Sequence, residues 1–148
     1  MGLLVSQIVF TEPSEAAAAG LLHSGPTSGV VCDPGPVGLW HLEAILTRRA
    51  YDEVAQAQPD PVAIFNGGQR FVLPLTTALR DRLADLRGWR ALVAALAWAR
   101  TDEVRAERLS RQDAHKLLYH LHLVASEAKR LETLLYLWVD VDERATFG

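Results

Sequence analysis

The sequence predicts an α+β fold in a single domain, residues 1–148, in which a small sheet packs against a helical second half. Residues 3–10 and 133–141 are rich in branched and aromatic side chains, which is typical of strands, and they lie near the two ends of the chain. From Pro74 onward, apolar residues recur at three- and four-residue intervals, which is typical of helices on a core. The elements do not alternate as in a doubly wound fold, so both terminal strands are expected in one sheet.

The first half of the chain predicts short elements. Thr11 is expected to cap a helix over residues 16–19, which Gly20 ends. Residues 30–32 then predict a brief strand, and Pro36 is well placed near the start of a second helix. The apolar stripe of that helix is predicted to contain Leu39, Leu42, Ile45, Leu46 and Ala50.

Residues 62–65 and 70–73 flank the segment Asn66-Gly67-Gly68-Gln69. This spacing predicts a β-hairpin whose turn uses asparagine and glycine at positive φ. The alternative is a glycine loop without paired strands. Pro59 and Pro61 are expected to end the helix that runs through residues 51–58.

The second half predicts three helical segments. The apolar stripes of the first two are predicted to contain Leu75, Leu79, Leu83 and Leu86, and then Trp89, Leu92, Val93, Leu96 and Ala97. Ser110 and Asp113 resemble a capping box, which predicts the start of the longest helix. The stripe of this last helix is predicted to be Leu117, Leu121, Val124, Ala128 and Leu131.

Composition indicates a soluble globular protein of one domain, with 49% hydrophobic and 22% charged residues. The longest apolar run, residues 91–99, is far shorter than the roughly 20 residues that span a bilayer, so no membrane partner is expected. A single cysteine excludes an internal disulfide framework and favours a reducing compartment, the cytosol. The net charge of -3 argues against a nucleic-acid partner.

Three histidines, His115, His120 and His122, lie on the longest predicted helix. His120 and His122 point in nearly opposite directions, and His115 and His122 are separated by roughly 10 Å along the axis, too far for one zinc ion. These side chains are therefore expected at the flanks and solvent face of the helix, with no metal site. The glycine-rich phosphate motifs are also absent from the sequence, so no cofactor is predicted.

Cys32, Asp33 and His41 form the only local set that could supply a thiol nucleophile with a base. Such a thiolate needs a lowered pKa, from a histidine or from a helix N-terminus. The alternative is that Cys32, after two valines, is a small buried apolar residue. The sequence favours the alternative.

Two further sets of residues bear on partner binding. Eight arginines occur between positions 80 and 111, interleaved with acidic residues, which predicts a solvated surface of ion pairs spaced three and four residues apart; an anion-binding patch or a partner surface is the alternative. Trp40 and Trp89 are predicted in the core. Trp98 and Trp138 are interface candidates if they are exposed, with burial in the core as the favoured alternative.

The element order resembles the YfbM-like family of small bacterial α+β domains of unknown function. The resemblance rests on residues 42–47 (LEAILT), on residues 66–73 (NGGQRFVL) and on the terminal helix and strand over residues 117–141. Arg48 stands where the family pattern has a glycine. The resemblance implies a single bacterial domain without catalytic residues to transfer, and an immunity-type partner of a bacterial toxin as one role.

Because no catalytic constellation occurs in the sequence, the favoured function is a non-enzymatic protein-binding or regulatory module, either with a protein partner or as a homodimer. An exposed helical surface with aromatic and arginine side chains is expected to carry the binding. The alternative is a small hydrolase or transferase whose site is assembled from distant segments, with Cys32 and His41 as its best local candidates.

Overall fold

The structure, a computed structural model, describes residues 4–142 and places the two terminal strands side by side in one sheet. The five strands are β1 (Leu4–Glu12), β2 (Val30–Val31), β3 (Ala63–Phe65), β4 (Arg70–Pro74) and β5 (Leu134–Asp142). They are hydrogen-bonded in the order β2-β1-β5-β4-β3, and every neighbouring pair is antiparallel. The predicted α+β fold, with both terminal strands inside the sheet, is confirmed.

Seven helices occur among the described residues, most of them in the second half of the chain. They are α1 (Glu15–Ala19), α2 (Gly35–Thr47), α3 (Tyr51–Gln56), α4 (Thr77–Ala84), α5 (Gly88–Ala99), α6 (Asp102–Ala106) and α7 (Arg111–Arg130). The short helix α6 was not predicted, because five residues are too few to show a helical period.

Alternate residues of the central strands enter two separate cores, one on each face of the sheet. Val9 and Leu137 belong to the larger core, which the buried faces of α2 and α4–α7 complete. Phe10 and Tyr136 point to the opposite face, where Ala18 of α1 covers them. Because both faces of the sheet are covered, the terminal strands carry apolar side chains at successive positions, and their sequences are nearly continuous apolar runs.

The hairpin predicted around the glycine pair is formed. Strands β3 and β4 pair antiparallel, with Phe65 opposite Arg70. The connecting turn has positive φ at Asn66 (52°), Gly67 (69°) and Gly68 (108°), values that glycine and asparagine adopt more readily than other residues. The alternative of an unpaired glycine loop is excluded.

Two predicted helix boundaries were wrong. Thr11 does not cap α1, because β1 continues through Glu12 in register with β5, and the Oγ of Ser14 instead accepts a hydrogen bond from the Ala17 amide at 3.1 Å. Ala50 does not belong to the stripe of α2, because Arg48 adopts a left-handed conformation with φ of 57° and ends that helix. Pairing between strands and a local change of backbone direction decided these ends, and neither leaves a periodic signal in the sequence.

Helix α7 begins at the predicted capping box. The Ser110 and Asp113 side chains each accept a hydrogen bond from the other residue's backbone amide, at 3.0 and 3.1 Å. The buried face consists of Ala114, Leu118, Leu121, Ala125 and Ala128, and it shares Leu121 and Ala128 with the predicted stripe. Leu117 and Val124 are half-buried against the core, whereas Leu131, also predicted in the stripe, is exposed. The small alanine side chains of the buried face let α7 approach α4 and α5 closely.

Glu43 on α2 is the buried acidic residue of the described chain, and it joins three elements. Its Oε1 accepts a hydrogen bond from the Thr76 hydroxyl at 2.5 Å and a longer one, at 3.4 Å, from Gln58. The same Thr76 oxygen accepts the Leu79 amide at 3.1 Å and so caps α4. Glu43 therefore fixes the start of α4 against α2.

We expect Glu43→Ala to lower the free energy of unfolding by about 2–4 kcal/mol, because it leaves a buried cavity and removes the acceptor of the capping hydroxyl. Urea unfolding measures this loss. Glu53→Ala is the matched control, since the Glu53 carboxylate is exposed and forms only a surface ion pair with Arg49. Equal losses for the two variants would contradict a role of Glu43 in joining the helices.

Candidate binding surface

Cys32 follows β2 and is completely buried in the larger core. Burial raises the pKa of its thiol from 9.0 to about 12; the Gly35 amide opposes this rise and the Asp33 carboxylate adds to it. The thiol is therefore protonated and shielded from solvent, the opposite of what a nucleophile requires. Cys32 is therefore a small buried residue of the apolar core, which is the alternative that the sequence favoured.

His41 belongs to a different cluster, between α2, α3 and α6. Its ring stacks on Tyr51, with ring centroids 4.0 Å apart and an angle of 14° between the planes. Its Nε2 lies 3.2 Å from Oε2 of Glu103, although that oxygen has no well-aligned hydrogen bond within the described residues. Sequence reasoning missed Tyr51 and Glu103, because nothing in a single sequence shows that α3 and α6 meet α2 at this point.

A histidine beside a carboxylate can act as a general base where a cleft brings a substrate to it. His41, Tyr51 and Glu103 line neither the cleft between α5 and α7 nor the one between β1 and α7. Burial, together with the charges of Glu103 and Asp52, also raises the pKa of the Tyr51 hydroxyl, which opposes its ionisation. The cluster thus lends the enzyme alternative little support.

Native protein is expected to resist alkylation of Cys32 by iodoacetamide at pH 8, because about one thiol in 10⁴ is ionised at that pH and burial blocks access. The same protein in guanidinium chloride should react fully, and mass spectrometry distinguishes the two outcomes. Since folding raises the pKa, the stability that the buried thiol contributes is complete below pH 9 and falls as the pH rises toward 12. Alkylation of the native protein at the rate of an unfolded chain would show that Cys32 is accessible.

The three histidines of α7 lie where the sequence predicts. His115 and His120 are exposed, and His122 is half-buried with its Nδ1 at 2.8 Å from the Leu83 carbonyl oxygen. Within residues 4–142, no group of three or more histidine, cysteine or acidic side chains is arranged to hold a metal ion.

The tryptophans agree with the prediction except at Trp89. Trp98 and Trp138, the interface candidates, are both buried, and their indole N–H groups donate to the carbonyls of Gly38 and Leu22 at 2.9 Å. Trp89, predicted in the core, has 70% of its surface exposed. Trp40 is half-buried against the larger core. The exposed tryptophan among the described residues of the second half is therefore Trp89.

Helix α5 carries two apolar faces, and the face that contains Ala94, Ala95 and Trp98 is buried in the core. Leu92 and Val93 are 51% and 53% exposed, on the same side of the helix as Trp89. The predicted stripe of α5 was thus the outer face rather than the inner one. Trp89, Leu92, Val93 and the half-buried Leu96 form what we call the outer face of α5.

The arginines near α5 do not form the predicted ion pairs three and four residues apart. Of the eight arginines between positions 80 and 111, Arg80 alone has an ion pair within the described residues, with Asp81 at 2.9 Å. Arg87 and Arg90 are exposed at the start of α5, and Arg90 lies over the Trp89 ring at 5.8 Å. Tryptophan and arginine are enriched at protein interfaces, so exposed examples of both beside apolar side chains indicate a binding surface.

No family model matches the chain, and neither a curated protein nor a solved structure is detectably similar to it. The YfbM-like resemblance therefore stays a prediction. None of the helices within residues 4–142 has the length and apolar content that a membrane crossing requires.

Proposed function

We propose that this protein is a non-enzymatic protein-binding module, and that the outer face of α5 binds a second copy of the same chain. The observation that carries this proposal is the exposure of Trp89, Leu92 and Val93 side by side on one helix. Single exposed apolar residues are common on monomers, but a contiguous group centred on tryptophan is typical of an interaction site.

The spacing of the exposed residues suits an antiparallel pair of α5 helices around a two-fold axis between positions 92 and 93. In that arrangement Trp89 lies opposite Leu96 of the second copy, and Leu92 lies opposite its Val93. Each contact is then made twice, as an isologous interface requires. The four apolar residues of the outer face are all covered.

The expected dimer is weak. Helix α5 has 12 residues and is therefore about 18 Å long, so a contact between two such helices is at the small end of protein interfaces. Interfaces of that size are typical of transient association, and we expect a dissociation constant in roughly the micromolar range.

Sedimentation equilibrium across a dilution series tests the proposal. We expect the average mass to rise from that of one chain, 16.3 kDa, toward twice that value as the concentration passes through about the micromolar range. A constant mass of one chain at concentrations of roughly 1 mM would overturn self-association. Higher oligomers without a dimer plateau would exclude the two-fold arrangement.

Two further expectations concern the location of the protein and the kind of partner that it binds. A lone, buried thiol fits a reducing compartment, and on that basis we propose a cytosolic location. The immunity-type role follows from the family resemblance, and no contact within the described residues favours it over self-association. The enzyme alternative is weaker than binding, because its best nucleophile, Cys32, is buried and protonated.

A further inference from the structure

A cleft of about 360 Å³ lies between the start of α5 and the middle of α7, away from the outer face of α5. Leu86, Ala91 and Leu118 give it an apolar floor. Its volume is at the small end of the range of roughly 300–1,000 Å³ that is usual for small-molecule sites. The cleft therefore suits a ligand with one aromatic ring or a short aliphatic chain.

His122 lines this cleft, and the hydrogen bond of its ring distinguishes the two ring nitrogens. Its Nδ1 lies 2.8 Å from the Leu83 carbonyl oxygen, and since a carbonyl can only accept, Nδ1 is the nitrogen that carries the proton when the ring is neutral. The other nitrogen, Nε2, is then an acceptor, and it has no hydrogen-bond partner within the part of the chain that the structure describes. A ligand hydroxyl can donate to it.

Arg87 is the one permanently charged side chain among the residues that line the cleft, and no carboxylate lines it. Arg87 also has no ion pair within residues 4–142. A guanidinium beside an apolar floor, without a neutralising carboxylate, favours a ligand that brings a negative charge.

We propose that this cleft binds a small hydroxylated aromatic carboxylate. The ligand carboxylate pairs with Arg87, its ring lies on Leu118 and Ala91, and its hydroxyl donates to Nε2 of His122. Tyr119 lines the same cleft and closes one side of it. This site is separate from the outer face of α5 and does not depend on self-association.

The proposal is tested by calorimetric titration with para-hydroxybenzoate, while NMR follows the imidazole signals of His122 during the same titration. We expect saturable binding with a signal change at His122. The alcohol analogue para-hydroxybenzyl alcohol, which lacks the charge, should bind at least about tenfold more weakly, because a charge-assisted hydrogen bond contributes more than one factor of ten. Equal affinity for the acid and the alcohol would overturn the assignment to Arg87.

Two variants and one control locate the site. Arg87→Met is expected to weaken binding at least about tenfold, and Ala91→Leu to abolish it by filling the cleft. Arg90→Met, an exposed arginine of the same helix that does not line the cleft, should bind within about twofold of the parent protein. Absence of saturable binding at roughly 5 mM ligand, or equal losses in Arg87→Met and Arg90→Met, would overturn the proposal. Circular dichroism confirms that each variant is folded.

Discussion

Trp89→Asp is expected to make the protein monomeric at the roughly micromolar concentrations at which the parent chain begins to form dimers. The substitution removes the largest exposed side chain of the outer face of α5 and places a charge where the second copy would bury it. We expect dimerisation to weaken at least about 100-fold, close to 3 kcal/mol of association free energy. Sedimentation velocity measures the shift from dimer to monomer.

Leu92→Asp should have a similar effect, and Leu131→Asp is its matched control. Leu92 and Leu131 have nearly equal exposure, 51% and 50%, but Leu131 lies at the end of α7, outside the outer face of α5. The same change from leucine to aspartate should therefore leave the dimer intact at position 131. Dissociation by Leu131→Asp, or dimerisation of Trp89→Asp with unchanged affinity, would mean that another surface holds the two chains.

Trp98→Ala is expected to lower the free energy of unfolding by about 3–5 kcal/mol, the largest stability effect that we anticipate. Trp98 is completely buried between α5 and α2, and its indole N–H donates to the Gly38 carbonyl at 2.9 Å. Trp98→Phe keeps a ring but leaves that carbonyl without its donor, and it should cost less than the alanine substitution, about 1–3 kcal/mol. Urea unfolding measures both losses.

Trp89→Ala is the matched control for Trp98→Ala, because both tryptophans lie on the same helix. Measured in the Leu92→Asp background, in which self-association is absent, Trp89→Ala should change the free energy of unfolding by less than about 1 kcal/mol. A loss at Trp89 as large as the loss at Trp98 would show that the outer face of α5 is packed within the single chain. The proposed binding surface would then not exist.

The hairpin of β3 and β4 and the start of α7 could be predicted because their signals are local. The capping pair Ser110 and Asp113 predicts the start of α7, and the glycine pair after Asn66 predicts the hairpin. Those features depend on residues within a few positions of one another. Thr11 failed as a cap because its pairing partner in β5, Leu135, lies at the other end of the chain.

The buried face of α5 could not be predicted from side-chain size, and that of α7 could be predicted only in part. On α5 the larger aliphatic residues indicated the outer stripe, whereas Ala94 and Ala95 line the core beside Trp98. On α7 the prediction included the buried Leu121 but missed Ala125. Alanine lets two helices approach closely, so a face of small residues can be the inner one. When a helix has two apolar faces, the elements that pack against it determine which face is buried. A single sequence does not show which elements these are.

The candidate sites depend on residues that are far apart in the chain. His122 meets Leu83 across 39 residues, and Glu103 meets His41 across a longer stretch of sequence. The sequence analysis expected aromatic and arginine residues of the helical second half to carry binding. It predicted Trp89 in the core, because Trp89 continues the apolar stripe that was taken for the core face.

Disulfide trapping of α5 against α5 tests the central proposal most directly. The buried thiol of Cys32 is unreactive, so a cysteine introduced by Leu92→Cys or Val93→Cys is the accessible one. In the antiparallel pair these positions lie next to the two-fold axis, within the short reach of a disulfide. We expect mild oxidation to give a covalent dimer at position 92 or 93, and none for Gln112→Cys on the exposed start of α7. No covalent dimer at either α5 position, or equal yields at all three positions, would contradict the proposed interface.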